Sequence, residues 1–200
     1  MLYRHRKKFE KFSNKIGFVF KKIPLTPNQW TITTIIPLFI SIYFIFLEEF
    51  ILSSIFFIIA AFFDLIDGSV ARVDKKTTKL GAYLDTIMDR YVEGIILLAL
   101  LFIPLPYFLV SSYVWISIYL FGMMMTTYAK SAAKEKELIK KELGGGFLER
   151  AERLIILFFG ISFATINKIY LLYVLIILAI LSNITAIQRV YIAIKGLKYE

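Results

Sequence analysis

The chain contains no cysteine. Disulfides and thiolate-bound metals are therefore excluded, and the redox compartment leaves no trace in the sequence. No secretory signal peptide is apparent, because the first 22 residues are basic and aromatic throughout and carry no cleavage pattern. The first apolar run is then expected to act as its own insertion signal. Internal repeats are absent, and the only compositional bias is toward apolar residues. Polar surface is also scarce: 58% of the 200 residues are hydrophobic and the mean hydropathy is +0.71. That excludes an ordinary soluble domain.

What is present instead is a succession of apolar runs of membrane-spanning length. Six are expected, at about 31–47, 50–71, 80–102, 107–129, 147–166 and 169–192. The first is short, and Pro37 is expected to kink it. The predicted fold is all-α and integral to the membrane. Residues 1–22 form a juxtamembrane amphipathic helix, and 23–200 form one six-span domain. In that first segment Phe9, Phe12, Ile16 and Phe20 recur at near-helical spacing among Lys7, Lys8, Lys11 and Lys15, as expected of a helix lying on the lipid surface. Pro24 and Pro27 separate it from the first span. Residues 134–143 read as a charged extension of the fourth span, stopped by Gly144-Gly145-Gly146.

The net charge is +9, and its placement is one-sided. Eight Lys/Arg lie in residues 1–22; others lie at 72–79, 130–146 and the C-terminus. The alternate loops carry Glu48-Glu49, a Pro-containing link and Lys168. This asymmetry predicts a multi-pass protein of the cell membrane with both termini in the cytoplasm. Beside membrane spans, basic charge points to anionic headgroups rather than to nucleic acid.

Within the apolar runs lies a string of polar residues: Asp64, Asp67, Gly68, Ala71, Arg72, Gly81, Asp85 and Asp89. Carboxylates at membrane depth are costly and mark functional sites. Asp64 and Asp67 share one helix face at i, i+3, and Asp85 and Asp89 share another at i, i+4. Counting a 1.5 Å rise inward from Arg72 and Lys79, Asp67 lies roughly 7 Å and Asp85 roughly 9 Å deep; Asp64 and Asp89 lie roughly 12 and 15 Å deep. On adjacent antiparallel helices Asp67 would be level with Asp85, and Asp64 with Asp89. Four convergent carboxylates favour a hard divalent cation, Mg²⁺, Mn²⁺ or Ca²⁺. Gly68 allows close approach beside Asp67, and Arg72 is placed to meet a phosphate. Pairing of the aspartates with Arg72 and Arg90, or an ion- or proton-translocating site, are the competing readings.

These residues carry a family resemblance. Asp64-x2-Asp67-Gly68-x2-Ala71-Arg72-x8-Gly81-x3-Asp85-x3-Asp89 resembles the signature of the CDP-alcohol phosphotransferases, at all eight fixed positions over 26 residues. The six spans and the surface helix are similar to that family's fold. The resemblance implies an enzyme that transfers a substituted phosphate from a CDP-linked lipid to an alcohol and releases CMP. It implies Mg²⁺ or Mn²⁺ held by Asp64, Asp67, Asp85 and Asp89, with Asp89 a ligand or the general base. It places Gly68, Ala71, Arg72, Thr78 and Gly81 along the CDP site. Pro27-Asn28 and Thr31 resemble a short family element, which makes Asn28 a nucleotide contact or a helix cap.

The acceptor is addressed by other cations. Arg150 and Arg153 share a face at i, i+3; Lys130 ends the fourth span and Arg189 lies about two turns inside the sixth. Converging, they would bind an acceptor that already carries a phosphate. As positive-inside flanks they would serve topology alone. The placement of Lys130, one of the Arg150/Arg153 pair and Arg189, and the stretch GGGFLERAERLIIL, resemble the inositol-phosphate-using branch. That implies an inositol phosphate acceptor and a CDP-diacylglycerol or CDP-archaeol donor, with glycerol phosphate, serine or a CDP-inositol donor as alternatives. The resemblance also implies a homodimer. Glu93, one turn beyond Asp89 on the same face, is a pocket residue or, the favoured reading, pairs with Arg90 or an arginine of another helix.

Overall fold

The computed structural model describes residues 15–23, 27–73, 78–138 and 146–196. Among the described residues the regular structure is helical. A short stretch at 15–20 (α1) precedes α2 (Pro27–Thr33), α3 (Ile35–Phe46), α4 (Phe50–Val73) and α5 (Lys79–Leu100). There follow α6 (Ser112–Glu135), α7 (Arg150–Phe163) and α8 (Lys168–Gly196). The chain divides at Ile103 and Pro104 into two compact halves.

In the first half the expected span 31–47 is broken at Thr34 into α2 and α3. Pro37 lacks the N–H that would bond the Thr33 carbonyl, and the helix is interrupted there. Leu38 N–H still donates to the Thr34 carbonyl at 3.3 Å, so the chain resumes at once. Glu48 adopts φ 60°, the left-handed turn that ends α3, and Glu49 N–H donates back to the Phe44 carbonyl. α4 then returns along α3. The two are joined by a buried serine pair, with Ser41 Oγ 2.9 Å from the Ser53 carbonyl and 3.1 Å from Ser53 Oγ. Small polar residues of this kind let apolar helices approach closely and bond across the seam. Thr78 caps α5 by accepting from Gly81 N–H at 2.9 Å.

In the second half α6 starts at Ser112, not at 107. Residues 107–111 are as apolar as a span, but Leu109 sits at φ 59° and Phe108 bridges Val110, so the chain turns before the helix begins. At the other end α6 stops at Glu135, with Glu137 at φ 57°. The expected charged extension beyond it falls largely in 139–143, outside the described residues. α6 and α8 meet at Gly122, where an added Cβ would lie 2.4 Å from Asn183 Nδ2. That amide donates to the Ile118 carbonyl of α6 at 2.9 Å and to Ala179 of its own helix at 2.8 Å. α7 packs on α8 through Gly160, which faces Val174. Leu148 N–H donates to Thr185 Oγ1 at 3.1 Å and Phe147 N–H to Gln188 Oε1 at 3.1 Å, tying the start of α7 to α8.

Large apolar side chains are exposed on helices of both halves, among them Phe39, Phe62, Phe121, Phe159 and Ile180. Such an exterior suits lipid rather than water. Among the described helices, Phe50–Val73 and Lys168–Lys195 are long and apolar enough to cross a membrane. The apolar run of α5 is interrupted by Asp85, Asp89, Arg90 and Glu93, and α7 has only 14 residues.

Gly122→Ala is expected to lower stability by roughly 1–3 kcal/mol, because the backbone N of Asn183 also lies within 2.9 Å of the added carbon and must shift. Thermal unfolding in detergent reads this; an unchanged midpoint would show that the α6–α8 seam is not tightly packed.

Candidate metal centre and anion site

The first half brings three of the four signature aspartates together. Asp64 projects from α4 and Asp85 and Asp89 from α5, all half-buried, with one carboxylate oxygen from each within 4.8 Å of the others. The expected pairing by depth is thereby modified, since Asp64 meets both Asp85 and Asp89. Asp67 follows Asp64 by one turn on α4; its side chain lies outside the described residues, as do those of Asn28 and Thr31.

Two unit charges 4.8 Å apart repel by about 3 kcal/mol at an effective dielectric of about 20. Three carboxylates held this closely gain most from a cation among them. Oxygens sharing one octahedral Mg²⁺ or Mn²⁺ at bonds of about 2.1 Å stand about 3–4 Å apart, so the three carboxylates would turn inward to hold one ion. The all-oxygen donor set suits a hard divalent ion. Arg90 Nη2 donates to Asp89 Oδ2 at 3.3 Å.

Arg72 is exposed at the end of α4, and its guanidinium folds back over Gly68. A Cβ on Gly68 would stand 3.4 Å from Arg72 Nη1 and 3.7 Å from Nη2. The group that approaches Gly68 is thus the protein's own arginine. Arg72 Nη2 also donates to Ser69 Oγ at 3.4 Å. Ala71 lies between them, half-buried. Thr78 and Gly81 are joined in the α5 cap, which gives Thr78 a structural task at the place expected for CDP contact.

The second half carries the other four cations. Arg153 on α7 is 1% exposed, among the most buried side chains of the described chain. Arg150 lies one turn before it, half-buried. Arg189 of α8 donates to the Thr126 carbonyl of α6 at 2.6 Å, one turn before Lys130. Glu152 Oε2 accepts from Glu149 N–H at 3.0 Å, so these glutamates build the cap of α7 as well as flanking the arginines. Sequence reading did not find Ser69 or the Thr126 carbonyl as partners. A serine inside a signature is a visible signal; a carbonyl has none. Glu93, one turn beyond Asp89, is fully buried.

Residues 24–195 match the CDP-alcohol phosphatidyltransferase family. The chain belongs to that family. It is therefore a transferase acting on CDP-linked alcohols. Over 205 aligned residues it is 33% identical to the archaetidylinositol phosphate synthase of Pyrococcus horikoshii, covering 99% of both chains. The fold is similar to that of the Mycobacterium tuberculosis phosphatidylinositol phosphate synthase. Its crystal structure in complex with manganese and citrate gives a TM-score of 0.76 at 24% identity, covering 90% of this chain and 88% of that one. Its structure with CDP-DAG bound gives 0.72 at 25% identity, covering 92% and 94%.

For this CDP-alcohol phosphatidyltransferase, Asp64→Asn is expected to weaken Mn²⁺ binding at least tenfold, read by calorimetry on the detergent-solubilised protein. Asp89→Asn should lower turnover by roughly 10²–10⁴-fold with an unchanged unfolding midpoint. Wild-type Mn²⁺ affinity in the first variant, or substantial turnover in the second, would remove the corresponding residue from the centre.

Proposed function

We propose that the protein transfers an archaetidyl- or phosphatidyl-type group from a CDP-lipid to an inositol phosphate and releases CMP. Full-length likeness to an archaetidylinositol phosphate synthase supports the donor and acceptor classes. One observation carries the choice of a phosphorylated acceptor: Arg153 is buried to 1% exposure, in the same half as Arg150, Arg189 and Lys130. A buried arginine is expensive in a membrane protein and signals an anionic ligand or partner.

Asp64, Asp67, Asp85 and Asp89 hold Mg²⁺ or Mn²⁺. When bound, the ion neutralises pyrophosphate charge and eases departure of CMP. Arg72 binds the donor phosphates, with Gly68, Ala71, Gly81, Thr78 and Asn28 shaping the nucleotide site. The acceptor hydroxyl oxygen bonds to the lipid-side phosphorus, the bond from that phosphorus to the CMP oxygen breaks, and Asp89 takes the hydroxyl proton. Lys130, Arg150, Arg153 and Arg189 orient the acceptor through its phosphate.

The chain crosses the cell membrane six times, with both termini and the site on the cytoplasmic side, as its charge asymmetry supports. The described part of the expected surface helix, 15–22, lies along the membrane surface, as Phe18 and Val19 on the exposed side of α1, beside Lys21 and Lys22, support; residues 1–14 lie outside the described residues. The protein acts as a homodimer, for which its exposed apolar helix faces are available.

Purified protein with Mn²⁺ and CDP-archaeol or CDP-diacylglycerol should release CMP with inositol phosphate and much less with serine. Chelation should stop the reaction and added Mn²⁺ restore it. CMP release with glycerol phosphate but not inositol phosphate would overturn the acceptor assignment, and release unaffected by chelation would overturn the metal requirement.

A further inference from the structure

Helix α1 meets the signature segment of α4 at backbone distance. A Cβ on Gly17 would lie 2.5 Å from the Ser69 carbonyl oxygen, 2.9 Å from its carbon and 2.6 Å from Val73 Cγ2. No side chain fits this crossing without moving one helix. The approach is held from both sides. Ile16 is buried with Trp30, Ile66 and Val70, and Phe20 packs against that cluster. The Phe20 ring meets Trp30 edge-on at 5.7 Å and Phe62 at 5.9 Å.

Ser69 occupies one of the two variable positions between Gly68 and Ala71 in the signature. It is fully buried. Its hydroxyl donates to the Leu65 carbonyl at 2.6 Å, which spends its proton and turns an oxygen lone pair outward. Arg72 Nη2 donates to that oxygen at 3.4 Å, while the rest of the guanidinium rests over Gly68. One contiguous chain of contacts therefore runs from Gly17 through the Ser69 backbone and hydroxyl to Arg72.

We propose that α1 is a positioning element for donor binding: Gly17 fixes the Ser69 turn of α4, and Ser69 holds the Arg72 guanidinium where the CDP phosphates meet it. Gly17 and Ser69 are positioning residues and touch no substrate. The inference rests on the reading that Arg72 binds the CDP donor. It adds a task for the surface helix beyond anchorage. The face of α1 carrying Gly17 seats the signature, while Phe18 and Val19, 65% and 64% exposed, lie off that contact.

The test is a kinetic cycle on the full chain in detergent with Mn²⁺, CDP-diacylglycerol and inositol phosphate. Gly17→Ala and Ser69→Ala should each raise the donor KM roughly threefold to tenfold and leave the acceptor KM unchanged. On an Arg72→Lys background neither should raise the donor KM further, because both act through the same guanidinium. Ser69→Ala deletes one oxygen and keeps the backbone, so it carries the test if Gly17→Ala does not fold. Multiplicative effects on the Arg72→Lys background would overturn the proposal, as would equal loss against donor and acceptor. A wild-type donor KM in Arg72→Lys alone would instead overturn the underlying reading of Arg72, a result distinct from either.

Discussion

Mutual repulsion among Asp64, Asp85 and Asp89 is the constraint around which the first half is built. Their oxygens lie within 4.8 Å in a chain whose exterior is apolar. Burying such a group is unfavourable until a divalent ion is added, and the helices that hold it must therefore be rigid without the ion's help. α4 and α5 meet this demand by ordinary means. The Ser41–Ser53 pair braces α4 against α3, Thr78 caps the start of α5, and the α1 crossing at Gly17 locks the α4 turn beside Arg72. Rigid elements of this kind would let the carboxylates take a divalent ion without reorganising the backbone.

The second half solves a different problem with the same tools. It buries Arg153 and lodges Arg189 against the Thr126 carbonyl, so its cations are oriented before any ligand arrives. Asn183 across Gly122 and Val174 across Gly160 keep α6, α7 and α8 close enough for these bonds to form. An arginine held by a backbone carbonyl keeps its charge. Under the proposed function, fixed geometry and retained charge are what an acceptor phosphate would require.

Much of this was legible in the sequence because membrane chains are sparing with polar residues. Asp64, Asp85 and Asp89 stood out against apolar flanks, and helical spacing sufficed to put them on facing surfaces. The break before α3 followed from Pro37. The start of α6 did not, because the apolar pattern of 107–111 cannot distinguish a left-handed turn at Leu109 from a span. The depth pairing put Asp64 level with Asp89, and the two do meet; Asp85 joins them because a carboxylate side chain reaches across one turn. Ser69, Gly17 and Asn183 carried no periodic signal: each matters through one close neighbour far along the chain or across a helix seam. Gly68 was read as space for a ligand, and the sequence did not show that its own helix's arginine lies over it.

The central claim, that these aspartates form the metal centre of a CDP-alcohol phosphatidyltransferase, is most directly tested by anomalous diffraction from crystals of the protein grown with Mn²⁺. An anomalous peak is expected, bonded to carboxylate oxygens of Asp64, Asp85 and Asp89 at about 2.1–2.2 Å. A fully occupied Mn²⁺ site elsewhere in the chain, with these three carboxylates bound instead to arginine or lysine, would contradict it.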